Sequence, residues 1–115
     1  MFRFENLDIW KLAVSYCNEI YKITAKFPSD ELFGLSSQLK RAVVSISANI
    51  AEGSGSDNNK EFRVFLNYAI RSNVEVISEL FIARNRGFIS NTEFDLLYKN
   101  GEILIKKITA FKNSL

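Results

Sequence analysis

The chain contains no histidine. The usual general base and the commonest metal ligand are therefore both missing. Cys17 is the sole cysteine, which excludes an internal disulfide and fits a reducing compartment. One proline and five glycines leave few places to break the chain, so a few long elements are expected rather than many short ones. No stretch approaches the roughly 18 consecutive apolar residues of a membrane helix. Met1–Asn6 carries an acid and no apolar core of signal length, so no membrane contact or secretion is expected and the cytoplasm is the expected location. A charge excess is also lacking: 15 basic against 13 acidic side chains give +2, too little by itself to argue for nucleic acid.

What is present is helical periodicity. The length of 115 residues suits one domain spanning positions 1–115. A first helix is expected from about Leu7 to Lys26, with Asn6 as cap and an apolar stripe of Trp10, Ala13, Val14, Cys17, Ile20, Tyr21 and Thr24. Phe27-Pro28 ends it, and a short helical turn from Ser29 or Asp30 would carry Leu32 and Phe33 beneath the bundle. The second helix is expected from Leu35 to about Glu52, with Leu35, Leu39, Ala42, Val43, Ile46 and Ile50 inward and Gly53 as its C-terminal cap. After the polar linker Ser54–Asn59, whose Asp57–Asn59 can cap the next helix, a long third helix runs to Arg86. Its stripe is Phe62, Phe65, Leu66, Ala69, Asn73, Val76, Ile77, Leu80 and Ala83, and Gly87 stops it. Ser90 and Glu93 have capping-box spacing and open a fourth helix with Phe94, Leu97, Gly101, Leu104, Ile108, Phe111 and Leu115 inward. Short connections between long helices imply antiparallel neighbours. The expected fold is all-α, an antiparallel up-down four-helix bundle.

Several helices carry more apolar residues than one stripe needs. Ile9, Leu12 and Ile23 fall off the expected stripe of the first helix, Val64, Tyr68, Ile70, Val74, Phe81 and Ile82 off the third, and Leu96, Tyr98, Ile103 and Ile105 off the fourth. Two readings fit: wide stripes on a small bundle, or helix faces packed between copies of the chain. Each such side chain gains about 1.5–3 kcal/mol on burial, which favours the homo-oligomer.

The polar positions are also patterned. Arg41, Ser45, Asn49 and Glu52 share one face of the second helix, and Arg63, Asn67, Arg71 and Glu75 one face of the third. Such ladders serve as a solvated face, as a polar seam between helices or subunits (Arg41, Ser45, Asn49, Glu52, Asn67 and Glu75), or as a ligand site. Neither a nucleophile with its base nor a carboxylate box for a metal is visible, and Gly53-Ser54-Gly55-Ser56 lacks the strand and the Gly-Lys-Ser/Thr ending of a phosphate loop. Cys17 reads as a small core residue. No catalytic residue, no cofactor, no metal and no small-molecule substrate is expected. Lys40, Arg41, Lys60, Arg63 and Arg71 are the candidates for phosphate contact, taken as flanking the turn between the second and third helices.

One resemblance covers nearly the whole chain. Glu31, Gly34-Leu35, Gln38, Arg41-Ala42, then Ser45-Ile46 and Asn49-Ile50-Ala51-Glu52-Gly53, then Phe62, Phe65-Leu66 and Ala69 resemble the 23S rRNA intervening-sequence proteins. Leu7, Trp10, Ala13, the Phe27-Pro28 turn, and Ser72 with Glu75 fit as well. The resemblance implies a bacterial four-helix bundle that forms homopentameric rings. It extends to the accessory variability determinant of diversity-generating retroelements, and so implies RNA or a nucleic-acid-processing protein as partner. Two positions depart from the pattern: Ser56 stands where the family often has Arg, and Arg71-Ser72 where it commonly has Gly-Ser. The function implied is that of a non-enzymatic oligomer touching structured RNA; the alternative is a ring-shaped protein scaffold that touches none.

Overall fold

A computed structural model describes residues 1–115. Four helices, α1 (Asp8–Thr24), α2 (Leu35–Ser54), α3 (Asn59–Asn85) and α4 (Asn91–Ser114), are joined by short connections, with 3₁₀ turns at Arg3–Asn6 and Ser29–Glu31. Each helix packs against two neighbours, α1 on α2 and α4, α3 on α2 and α4, and the backbones of diagonal pairs do not approach. The bundle is therefore closed and up-down, 44 × 23 × 21 Å. Its long dimension is close to that of α3, whose 27 residues span about 40 Å at 1.5 Å per residue.

The core is one continuous cluster of 23 buried apolar residues contributed by all four helices. All six expected inward positions of α2 are buried, as are Phe94, Leu97, Gly101, Leu104 and Ile108 of α4. On α1 the buried stripe shares Ala13, Ile20 and Thr24 with the expected one but is rotated from it. Ile9, Ala13, Tyr16, Ile20, Ile23 and Thr24 are buried, while Trp10, Val14 and Cys17 are half-buried and Tyr21 faces out. Both sets step by three and four, so periodicity alone does not select between neighbouring stripes. The docking of α1 between α2 and α4 does.

The helix ends follow local chemistry, with three corrections. Leu7 rather than Asn6 precedes α1, and no side chain caps it. Leu32 and Phe33 are 55% and 93% exposed, so the turn after Pro28 does not carry them under the bundle. Gly53 is not a cap. It lies inside α2, where a Cβ would stand 2.7 Å from Phe65 Cβ and 2.9 Å from Phe62 Cδ1. Glycine is there because α2 and α3 approach too closely for a methyl group.

Elsewhere the caps match their spacing. Asn58 Oδ1 accepts from the Lys60 and Glu61 backbone N–H groups at 2.8 and 3.4 Å. Ser90 and Glu93 form a reciprocal capping box at 3.1 and 2.9 Å. Gly87, at φ +78°, ends α3 in a Schellman turn, with Phe88 N–H donating to Ala83 O and Gly87 N–H to Arg84 O.

Candidate functional site

The polar ladders lie where α2 and α3 run side by side. Their antiparallel register is set by the Ser45 and Ser72 hydroxyls, which share a hydrogen bond of 3.0 Å. Asn49 Nδ2 donates to Ser45 O at 2.8 Å and to Ser45 Oγ at 3.0 Å, filling the next turn. Toward the start of α2, Gln38, Arg41, Ala42 and Ser45 face Glu75 across a groove of about 360 Å3. Of the six seam residues, then, Ser45 and Asn49 bond to each other, and Arg41 and Glu75 share the groove. Glu52 is exposed on α2. Asn67 turns away from α2, accepting a 3.0 Å hydrogen bond from Lys112 of α4.

Glu79 belongs to the same place and escaped the sequence reading. It lies one turn beyond Glu75, is only 5% exposed, and its Oε2 has no hydrogen-bond partner. Burial pushes its carboxyl up to about 7, the neighbouring Glu75 adds to the rise, and Arg41 opposes it. The signal was present: Glu79 continues the four-residue spacing of Arg63, Asn67, Arg71 and Glu75.

The five candidate phosphate contacts do not form one cluster. Lys40 and Arg41 lie in the first two turns of α2, about 20 Å from the α2–α3 turn at 1.5 Å per residue. Lys60 and Arg63 lie at the turn, in the opening of α3, and Arg71 is farther along that helix. The expectation that all five flank the turn is thus corrected: two helices of antiparallel sense carry the start of one away from the start of the next. Lys40 Nζ sits 5.4 Å from the Tyr21 ring on the α1 side. Arg63 donates to Leu115 O at 3.0 Å at the C-terminal end of α4. Lys60, Arg41 and Arg71 are exposed.

The remaining reactive groups are placed for structure. Tyr16 donates from its hydroxyl to Leu97 O at 3.0 Å, and burial, with the charge of Glu19, pushes its phenol well up. Asn73 Nδ2 donates to Gly101 O at 3.1 Å, leaving Asn73 Oδ1 buried and unbonded. These two bonds fix α4 to α1 and α3 at Gly101, where a Cβ would stand 2.6 Å from the Tyr16 hydroxyl. Cys17 is half-buried and burial raises its thiol pKa, which lowers the thiolate fraction. No three His, Cys, Asp or Glu side chains gather as a metal-holding group, and no helix is long and apolar enough to cross a membrane.

The surplus apolar residues are distributed unevenly. Ile9 and Ile23 belong to the core. Val64, Tyr68, Val74, Phe81 and Ile82 of α3 and Leu96, Tyr98 and Ile103 of α4 are exposed. Val74 and Ile77 of α3 with Tyr98 and Ile105 of α4 line an apolar groove of about 360 Å3, edged by Glu102 and Lys106. Beside it Phe81, Phe94 and Tyr98 pack edge-on or tilted, and the Arg84 guanidinium lies 4.0 Å from the Phe94 ring centre.

The model of the 23S rRNA-intervening sequence protein family matches residues 5–110, from the first 3₁₀ turn through most of α4. The chain belongs to that family. Its fold is shared with the 1.70 Å crystal structure of a protein of unknown function from the S23 ribosomal protein family of Bacteroides thetaiotaomicron VPI-5482, at a TM-score of 0.80. Identity is 20%, and the match covers 90% of this chain and 97% of that one, so the likeness speaks for the fold alone. No curated protein matches the chain. Within this intervening-sequence protein, the α2 motif from Gln38 to Gly53 now has a physical content. Gly53 admits α3, Ser45 and Asn49 set the register against Ser72, and Gln38 and Arg41 line a groove beside two carboxylates.

Proposed function

We propose that this intervening-sequence protein works by association rather than by chemistry: it assembles with copies of itself, five to a ring as the resemblance implies, and offers basic side chains to structured RNA. The observation that carries the assembly is the apolar groove of Val74, Ile77, Tyr98 and Ile105, open on the bundle surface beside exposed Phe81. Apolar area of this kind gains roughly 25 cal/mol per Å2 when another surface covers it. Light scattering gives the test: a mass of several subunits supports the reading, and a mass near 13.2 kDa across the micromolar range sinks it.

The RNA part is supported by the family's description and by Lys60 and Arg71, which are exposed near the linker half of α3. A ring repeats these charges around its axis, and phosphate contacts accumulate with charge number. Mobility shift with structured rRNA fragments at two salt concentrations checks it. Binding that weakens with salt and with Lys60→Ala and Arg71→Ala is expected; shifts indifferent to both defeat it. A second reading, a protein-binding ring without RNA, is favoured by the separation of Lys40 and Arg41 from Lys60. Pull-down from native extract that recovers protein and no RNA would select it.

A further inference from the structure

Without histidine, the chain lacks the side chain that usually changes charge near neutral pH. Glu79 fills that gap. It is 5% exposed, its Oε2 has no hydrogen-bond partner, and burial lifts its carboxyl to about 7. Seven residues along each helix from the Ser45–Ser72 bond, the antiparallel register sets Glu79 beside Gln38. Gln38 lines the α2–α3 groove together with Arg41, Ser45 and Glu75. The charges acting on Glu79 are Glu75, one turn back on α3, and Arg41 of α2; α1 and α4 contribute none.

Arg41 is exposed, and the chain's one ion pair, Lys26 with Glu93, leaves it unpaired. Its guanidinium can therefore serve the carboxylates of its own groove or an anion from outside. The proton on Glu79 decides between them. With Glu79 neutral, Arg41 and Glu75 cancel and the groove has no net charge. With Glu79 ionised, the groove is net negative, and its unbonded oxygen gains strongly from a charged donor, so Arg41 is drawn inward. A phosphate arriving then meets one more negative charge and one available cation fewer. Linkage makes the effect reciprocal: an anion that engages Arg41 raises the Glu79 carboxyl further and draws in a proton.

We propose that the α2–α3 groove is a proton-linked phosphate site, in which Arg41 receives an RNA phosphodiester while Glu79 is protonated and is withdrawn when Glu79 ionises. The site rests on the RNA reading and adds to Lys60 and Arg71 a third basic group, one whose availability depends on pH. Phosphodiesters stay charged throughout the neutral range, so the switch lies in the protein.

Filter binding of a structured rRNA fragment at about pH 6 and about pH 8, at one ionic strength, tests it. Wild type should bind about fivefold more weakly at the higher pH. Glu79→Gln, neutral at both, should bind at the tighter level throughout. Arg41→Gln should bind no better than the weaker level at either. Lys60→Ala should weaken binding equally at both and keep the ratio. A ratio that survives in Glu79→Gln, or wild type that binds equally at both, overturns the switch and leaves the RNA reading standing. No binding at either pH overturns the switch together with that reading. NMR of the Glu79 carboxyl gives a second readout that needs no substitution: the RNA fragment should raise its titration midpoint above about 7. A midpoint unmoved by bound RNA overturns the site.

Discussion

Gly53 and Glu79 are the two side-chain positions where sequence reasoning and tertiary structure parted most usefully. A glycine one residue past an expected helix end reads as a cap, whereas Glu79 carried no reading of its own. Packing of α3 on α2 overturned the first and buried the second. Gly53→Ala gains helix propensity of about 0.5–1 kcal/mol but drives a methyl against Phe62 and Phe65. Overpacking of this kind costs about 1–3 kcal/mol, so urea denaturation should show a net loss of stability. For Glu79 the native carboxyl holds its proton up to about 7, against an ordinary value of 4.5. Between those values the folded chain is protonated and the unfolded chain is not. Stability contributed by this group therefore falls as pH rises from about 4.5 to 7 and stays lower above. Glu79→Gln should leave stability near pH 4 almost unchanged, raise it at pH 8, and flatten the curve between. A wild-type curve rising through that window would contradict the assignment.

At the level of elements, termini are governed by neighbours in sequence and so are readable from it. Ser90 with Glu93, Asn58 before α3, and Gly87 after it all do what their spacing implies. Glu93 accepts from the Ser90 backbone N–H and, at 3.3 Å, from Lys26 of the neighbouring α1 end, which together hold its carboxyl below the usual range. Its contribution is accordingly present at neutral pH and lost in acid. Ser90→Ala should cost about 1 kcal/mol in thermal or urea unfolding, while Ser114→Ala, in the exposed last turn, should leave stability unchanged. The stripe of α1 was less legible, because two overlapping sets of residues keep the same period. Tyr16 decides it: its ring fills the centre and its hydroxyl reaches Leu97 O across the bundle.

For the molecule as a whole, the question is which surface meets what. The apolar residues left over on α1 were absorbed by the core or packed against it, whereas most of those on α3 and α4 remained outside. If the α3–α4 groove closes the assembly, Val74→Glu should shift the light-scattering mass toward 13.2 kDa without lowering the melting temperature of the separated chain. Val74 is more than half exposed in the single bundle, so a carboxylate there costs the fold little. A variant that keeps the full assembly mass would move ring closure to another face. The five basic candidates belong to this scale too, since a local run of charges on a helix becomes a cluster only if the partner helix returns its own charges to the same end.

Helix number, the caps at Asn58, Gly87 and Ser90, the inward faces of α2 and α4 and the family were determined by the sequence alone. Each depends on periodicity, capping or motif spacing, and these act within a few turns of chain. The rotation of α1, the role of Gly53, the burial of Glu79 and the scattering of the basic residues were decided only by tertiary structure. Those depend on which face of one helix meets another, and a repeat of three and four leaves that choice open until the core closes.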